Sequence, residues 1–343
     1  MCQKKKSGVI VNKNPTLKQI AQNLGLSSAT VSKALAGRMD ISTETKEKVV
    51  SYAREIGYLK GKAVRRRLGI LAVNVSDMND NFSSVIFNTL LGFQQYANRL
   101  DYDTVMLTCD STDQTSRTLD SFVFENRLDG MFVLGLKNTD FYYEQLNIAT
   151  VPIVVMDITS LNSTVGYIGT DSILGGILAI DHLVKLGHKR IGFVNGSIKA
   201  YISQERLAGY ITALHMHKLP FDQDLCFDGD FSLQSGVAAA DYFSKKNVTA
   251  IYFSSDLMAL GAIQQFTNLG YSLPQNMSII GFDDLPICLS SIPPITTVAQ
   301  DPIALGEAAC ATLYGLSQNI PVKNVKLAPH LIIRDSTTQL QQR

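Results

Sequence analysis

Residues 16–37 read TLKQIAQNLGLSSATVSKALAG, and the spacing within this stretch decides the architecture at the N-terminal end. Leu17, Ile20, Ala21 and Leu24 share one face of a helix that Thr16 can cap and Gly25 breaks. Ser27 can cap a second helix whose Val31, Ala34 and Leu35 face back toward the first, leaving Ser28, Ala29, Ser32 and Lys33 outward. Two short helices joined by such a turn form a helix-turn-helix. A third helix, capped near Ser42 or Thr43, is expected to bury Val49, Val50, Ala53 and Ile56 and to end at Gly57. The result is a three-helix head with a minimal core, too small to do much beyond binding.

Charge divides along the chain at the same place. Residues 1–67 hold 15 Lys/Arg against 4 Asp/Glu, or +11, while residues 68–343 hold 16 against 26, or −10. A solvated basic tail is the bland account of that asymmetry, but the helical pattern inside the basic part favours a module that binds a polyanion. In a helix-turn-helix the second helix enters the major groove, where its outward residues meet base edges and hydroxyls hold phosphates. Ser28, Ala29 and Lys33 are the expected base readers, Ala29 toward a thymine methyl and Lys33 toward guanine acceptors. Thr16, Ser27, Thr30 and Ser32 complete the expected DNA-facing set, with Ser27, Thr30 and Ser32 as phosphate donors.

The remaining composition bounds the rest. A chain of 343 residues with 45% hydrophobic content is too long for one core. It holds no run of roughly 18 apolar residues for a membrane span, and Lys4, Lys5 and Lys6 are followed by no signal-peptide core, so a cytoplasmic, membrane-free location is expected. Cys2, Cys109, Cys226, Cys288 and Cys310 are scattered and odd in number, which suits reduced thiols, with no metal site and no cofactor expected. His215 and His217 lie two apart, off any shared helical face, while His182 and His188 read as ordinary helix-end residues. Gly175 and Gly176 sit within a helix pattern and form no phosphate loop.

Beyond GKAVRRR at 61–67, apolar strands alternate with amphipathic helices. The strands are read in LGILAVN, YDTVMLT, GMFVLG, PIVVMD, RIGFVNG, AIYFSSD and SIIGFDD, with helices from near Phe82 and from Asp171 to Leu186. Near-continuous apolar strands each followed by a helix indicate parallel sheets covered on both faces. Taken alone, this pattern leaves two lobes, one large sheet or a barrel open.

The head resembles the LacI/GalR (lactose-repressor) family of transcriptional regulators, whose opening it matches at Thr16, Leu17, Ile20, Ala21, Gly25, Ser27, Ala29, Thr30, Val31, Ser32, Leu35 and Gly37. HLVKLGHKRIGFVNG, ERLAGY, SSDLMALGAI, SIIGFDD, PPITTVAQD and LIIRDST resemble the family's later landmarks in its order, so the likeness runs from Thr16 to Thr337. It implies an α/β body like a periplasmic sugar-binding protein, two doubly wound parallel sheets with a ligand in the cleft beyond the strand ends. The expected division is a basic tail at 1–15, a head at 16–58, a basic hinge at 59–67, a body at 68–335 and a tail at 336–343. Within the body, lobe 1 is expected over about 68–160 and 294–318, and lobe 2 over about 161–293 and 319–335. The resemblance implies a ligand-gripping role for Arg206, stacking by Phe231, and cleft positions for Phe82, Asp157, Ser255, Asp256, Asp283 and Gln300. Asp157 and Asp283 also suggest the carboxylate pair of a glycosidase, but no nucleophile motif or strand-end histidine accompanies them. Asp171 reads as a helix cap.

Three departures from the family pattern stand out. Lys33 replaces the usual arginine, removing the bidentate fork to guanine. Ser255 replaces an asparagine whose amide both donates and accepts. The hinge is short: Val64 and Arg65 stand at its Ala-Arg positions and Arg67 stands where relatives have a leucine that wedges into the minor groove, so Arg65, Arg66 and Arg67 are expected to form an electrostatic arm. The resemblance as a whole implies a non-enzymatic regulator, a repressor that binds an inverted repeat in double-stranded operator DNA. A small sugar or sugar derivative is its expected effector, with a nucleobase or a phosphorylated partner protein as the alternative on the same scaffold. The tail TQLQQR leaves no room for tetramerising heptads, so a homodimer is expected.

Overall fold

Thr16 starts the first helix by a reciprocal exchange: its hydroxyl accepts from the Gln19 amide, and the Gln19 side chain accepts from the Thr16 amide at 2.9 Å. The computed structural model describes residues 16–35, 41–56, 58, 66–74, 83–110, 114–320 and 324–341. Contacts divide the chain into two units, a head ending at Arg65 and a body beginning at Arg66.

The head holds α1 (Leu17–Leu24), α2 (Ser28–Leu35) and α3 (Thr43–Glu55). Gly25 turns left-handed at φ 64° to end α1, a conformation any Cβ would disfavour. Ser27 caps α2, its Oγ accepting from the Thr30 amide at 3.0 Å, and Ser42 caps α3 from Thr45 at 3.3 Å. Ile20, Ala21, Val31, Ala34, Val49 and Ala53 form the buried core of the three helices.

The body begins with β1 (Arg66–Val73), α4 (Ser83–Arg99), β2 (Tyr102–Cys109), α5 (Leu119–Asn126), β3 (Gly130–Leu134), α6 (Phe141–Gln145), β4 (Ile153–Met156) and β5 (Val165–Thr170). It continues through α7 (Ser172–Lys185), β6 (Ile191–Asn195), α8 (Tyr201–Met216), β7 (Cys226–Asp228), α9 (Leu233–Phe243), β8 (Ala250–Phe253), α10 (Asp256–Asn268), β9 (Ser278–Asp283), α11 (Ile287–Ser290) and β10 (Thr296–Ala299). It closes with α12 (Pro302–Ser317), β11 (Val325–Leu327) and β12 (His330–Ile332).

Two six-stranded sheets result, ordered β11-β5-β4-β3-β1-β2 and β12-β10-β9-β8-β6-β7. Every pairing is parallel except that of β12 with β10, so the second sheet carries an antiparallel edge. Each sheet is apolar on both faces, with Val133 and Phe132 of β3 pointing into opposite layers of lobe 1 and Ile251 and Tyr252 of β8 doing the same in lobe 2.

The sheets correct the expected boundaries. β5 and β11 belong to the first sheet and β10 to the second, so the chain changes lobes after Thr170, after Ala299 and after Leu327. Lobe 1 therefore extends to Thr170 rather than to about 160, and takes in β11, while β10 leaves it for lobe 2. Strands β5, β7, β10, β11 and β12 escaped the sequence reading because β7, β11 and β12 have three residues each, and β5 and β10 dilute their apolar residues with Gly and Thr, so all carry little periodic signal. Arg66 and Arg67 are strand residues, paired in register with Tyr102 and Asp103, and not part of a hinge. Their register beside the β2 backbone makes them the first two residues of β1, next to the edge strand of the first sheet. Arg65 lies outside the described residues.

Where α7 crosses α8, a Cβ on Gly176 would come within 2.9 Å of the Gly209 backbone, so the glycine pair of α7 serves close helix packing. A Cβ on Gly175 would meet the Phe282 ring at 2.6 Å. That clearance lets Phe282 lie flat beneath the residue that organises the cleft, Arg206.

Candidate functional site

On the head, Ser27, Ser28, Ala29, Ser32 and Lys33 are exposed, and Thr30 is partly so. Thr30 and Ser27 join hydroxyls at 2.8 Å, while Thr16 is exposed at the start of α1. The outward face of α2 is thus made of small side chains apart from Lys33.

In the body, a cavity of about 310 Å³ opens between the carboxyl ends of the two sheets. Asn74, Ile86, Leu134, Met156 and Asp157 line it from lobe 1, and Tyr201, Phe231, Ser255, Leu257, Asp283 and Leu285 from lobe 2. Several of these residues leave their strands or turns at unusual backbone angles: Asn74 at φ 57°, Asp157 at 60°, Phe231 at 69° and Asp283 at 116°. Asn and Asp tolerate left-handed backbone best, whereas at Phe231 it costs free energy; such conformations collect where side chains must be aimed, here into one cavity.

Arg206 sits beneath the cavity floor, almost fully buried. Its guanidinium lies 3.6 Å from the Asp283 carboxylate, donates to the Ser254 carbonyl and stacks 3.8 Å from the Phe282 ring centre, with Phe231 at 5.8 Å. A planar cation packed on an aromatic face is held in one orientation, which fixes Asp283 in turn. Gln300 donates to Asp283 Oδ1 at 2.7 Å and accepts from the Thr170 hydroxyl at 2.9 Å, so its amide ties a lobe 2 strand end to a lobe 1 strand end.

Burial dominates the electrostatics. It pushes the Asp157 carboxyl up to about 7, with Glu205 and Asp283 adding repulsion that Arg206 and Lys326 partly offset. Asp283 and Asp256 are both raised above the usual carboxylate range by burial, Asp283 less so because Arg206 and Gln300 support its charge. Among the described residues no three His, Cys, Asp or Glu side chains are grouped to hold a metal ion.

The expected cleft residues separate into three groups. Asp157, Phe231, Ser255 and Asp283 border the cavity. Arg206 and Gln300 stand behind it and shape it through Asp283. Asp256 requires correction as a ligand contact: it is fully buried, with Oδ1 accepting from Thr297 at 2.5 Å and Oδ2 from the Leu285 amide at 2.7 Å, so both oxygens serve the fold. Phe82 lies outside the described residues. Ser255 accepts from the Met258 amide at 3.3 Å, capping α10, and keeps its hydroxyl proton to donate into the cavity it borders. Asp171 caps α7 through the Leu174 amide at 3.0 Å. Asn74, Tyr201, Leu257 and Leu285 were not singled out from the sequence; Asn74 follows β1 directly, and the rule that ligands gather beyond strand ends points to it.

Comparisons with known proteins agree with both units. The pattern describing bacterial regulatory proteins of the lacI family matches residues 16–60, and that of a periplasmic binding protein-like domain matches residues 180–337. The chain is 30% identical to HTH-type transcriptional regulator reg1 of Streptomyces lividans, over 94% of this chain and 96% of that protein. It is 31% identical to HTH-type transcriptional repressor CytR of Escherichia coli, over 95% and 97%. A solved complex of transcriptional regulator CelR with cellobiose shares 28% identity at a TM-score of 0.70, covering 94% of this chain and all of that one.

Proposed function

The chain belongs to the lacI family of bacterial regulatory proteins and is a transcriptional regulator, not an enzyme, and from that premise we propose that it is a repressor whose operator affinity is set by a sugar or sugar derivative in the cleft. The observation that carries the effector half is the cavity of about 310 Å³ shared by the two lobes, with Asp157 and Asp283 on its floor and Phe231 on its wall. Carboxylates accept from sugar hydroxyls in defined directions, and an aromatic ring covers the apolar face that a pyranose presents. The cellobiose in the complex of CelR supports the same reading.

An effector touching both lobes prefers one closure angle, and the free energy it adds to regulation equals its differential affinity for the two arrangements. The exposed α2 face and the +11 charge of residues 1–67 support operator binding through base edges and phosphates, and two copies of the head suit an inverted repeat. No helix among the described residues is long and apolar enough to cross a membrane.

Thermal melting of the full chain, surveyed across mono- and disaccharides, purines and pyrimidines, tests the proposal. A ligand at a hundred times its Kd stabilises by about 2.7 kcal/mol. Stabilisation by a sugar, without its conversion and with altered operator affinity, supports the proposal. Stabilisation by nucleobases alone, or turnover of the sugar, overturns it.

A further inference from the structure

Behind the cavity, an ion pair joins the lobes that no cavity contact requires. Lys326 lies on β11 of the first sheet and Glu205 on α8 of the second lobe, and their Nζ and Oε1 are 2.6 Å apart. The Glu205 side chain is only 9% exposed and the Lys326 side chain 35%, so the carboxylate is drawn out of water on the lysine's account. The other Glu205 oxygen is buried without a hydrogen-bond partner among the described residues. Lys326 also sits 5.9 Å from the ring centre of Tyr167, a β5 residue whose own hydroxyl is buried without a hydrogen-bond partner among the described residues. Neither Glu205 nor Lys326 borders the cavity.

We propose that Glu205 and Lys326 are positioning residues, an inter-lobe latch that holds the effector-free body at one closure angle. The physical reason lies in the asymmetry of buried charge pairs. Such a pair adds little net stability, because Glu205 loses most of its water to form it, yet a carboxylate so buried tolerates only the geometry in which it meets its cation. Glu205 is the chain neighbour of Arg206, so the angle at which Lys326 holds α8 also sets where the Arg206 guanidinium presents Asp283. On the opposite count, an apolar contact of Val85 from lobe 1 with Leu257 and Leu285 from lobe 2 seals the cleft without directional preference. The apolar seal favours closure, the Gln300 bridge holds the lobes at the strand ends where the chain crosses, and the ion pair fixes the angle about that crossing.

Pulsed dipolar spectroscopy on the full chain without any effector tests this, with spin-labelled unnatural residues at exposed Glu144 and Lys245, one in each lobe. The wild type should give one narrow distance. Lys326→Met and Glu205→Gln should each broaden it and raise the displaced population at least tenfold, the double variant should go no further than either single one, and Lys326→Arg should restore the narrow distance. Circular dichroism identifies a variant that fails to fold; if Glu205→Gln does, the contrast of Lys326→Met with Lys326→Arg decides alone. Unchanged distances in Lys326→Met, additive effects in the double variant, or no restoration by Lys326→Arg would each overturn the latch. Because no effector is used, the outcome is separate from the sugar survey.

Discussion

The Arg206 guanidinium lies 3.6 Å from the Asp283 carboxylate and 3.8 Å from the centre of the Phe282 ring, so one buried cation is both paired and stacked at the cleft floor. Removing it strands Asp283 in a buried site. Arg206→Ala should therefore cost about 3–5 kcal/mol in urea unfolding of the body. Arg206→Lys should recover part of that loss, since it keeps the charge but not the planar stack. A cost near zero for the alanine variant would show that Asp283 simply takes up a proton.

Asp157 gives a pH signature. Its carboxyl is raised by burial to about 7 from 3.8, so the folded body binds this proton more tightly than the unfolded chain does. The stability it contributes is fully present below pH 3.8 and is lost as pH rises to about 7, after which the deficit is constant. Asp157→Asn removes the buried charge and should gain on the wild type across that window, with a ceiling of about 4 kcal/mol. Melting curves at pH 4 and pH 8 check the sign: the variant should be relatively more stable at pH 8.

Gly196 bears on effector binding through Phe231. A Cβ at Gly196 would stand 1.9 Å from the Phe231 ring, so Gly196→Ala must displace that ring from the cavity wall. Calorimetry with whichever sugar stabilises the wild type should show at least tenfold weaker binding, while operator affinity without the sugar is kept. Retained sugar affinity would remove Phe231 from the ligand contacts.

Lys33 and the Ser28–Ala29 pair are expected to read bases. Lys33→Ala should change the ranking of operator variants, and wild-type binding should fall steeply with salt as phosphates regain counterions. If all operator variants weakened equally, Lys33 would be a phosphate contact instead.

Leu68 is fully buried in β1, and Arg66 is held by the Tyr102 hydroxyl at 3.0 Å and by Asp129 at 3.6 Å. A core leucine is not available as a minor-groove wedge. Operator DNA should accordingly bend less than with relatives that insert a leucine. A gel-shift phasing experiment that gave a bend as large as theirs would contradict this.

The head was legible from its residues because every feature that makes it is local. Thr16, Gly25 and Ser27 act on groups within four residues, and the helical repeat puts Ile20, Val31 and Val49 on the inner faces of three helices joined by short turns. The apolar strands β1, β3, β6, β8 and β9 and the helix from Asp171 were legible for the same reason. Lobe membership was not, since β11 joins β5 only by pairing with a strand remote in sequence, β5 and α7 follow one another directly yet fall in different lobes, and a three-residue strand such as Val325–Leu327 has no period of its own. Aspartate chemistry divided along the same line. The sequence placed Asp157, Asp256 and Asp283 near strand ends, but hydrogen bonds from Thr297 and Leu285 turned Asp256 into a fold contact, while Asp157, at a left-handed turn after β4, borders the cavity. Backbone hydrogen bonding and side-chain period act over one or two turns and can be read along the chain. Desolvation and the pairing of Glu205 with Lys326, 121 residues away, depend on which surfaces folding brings together.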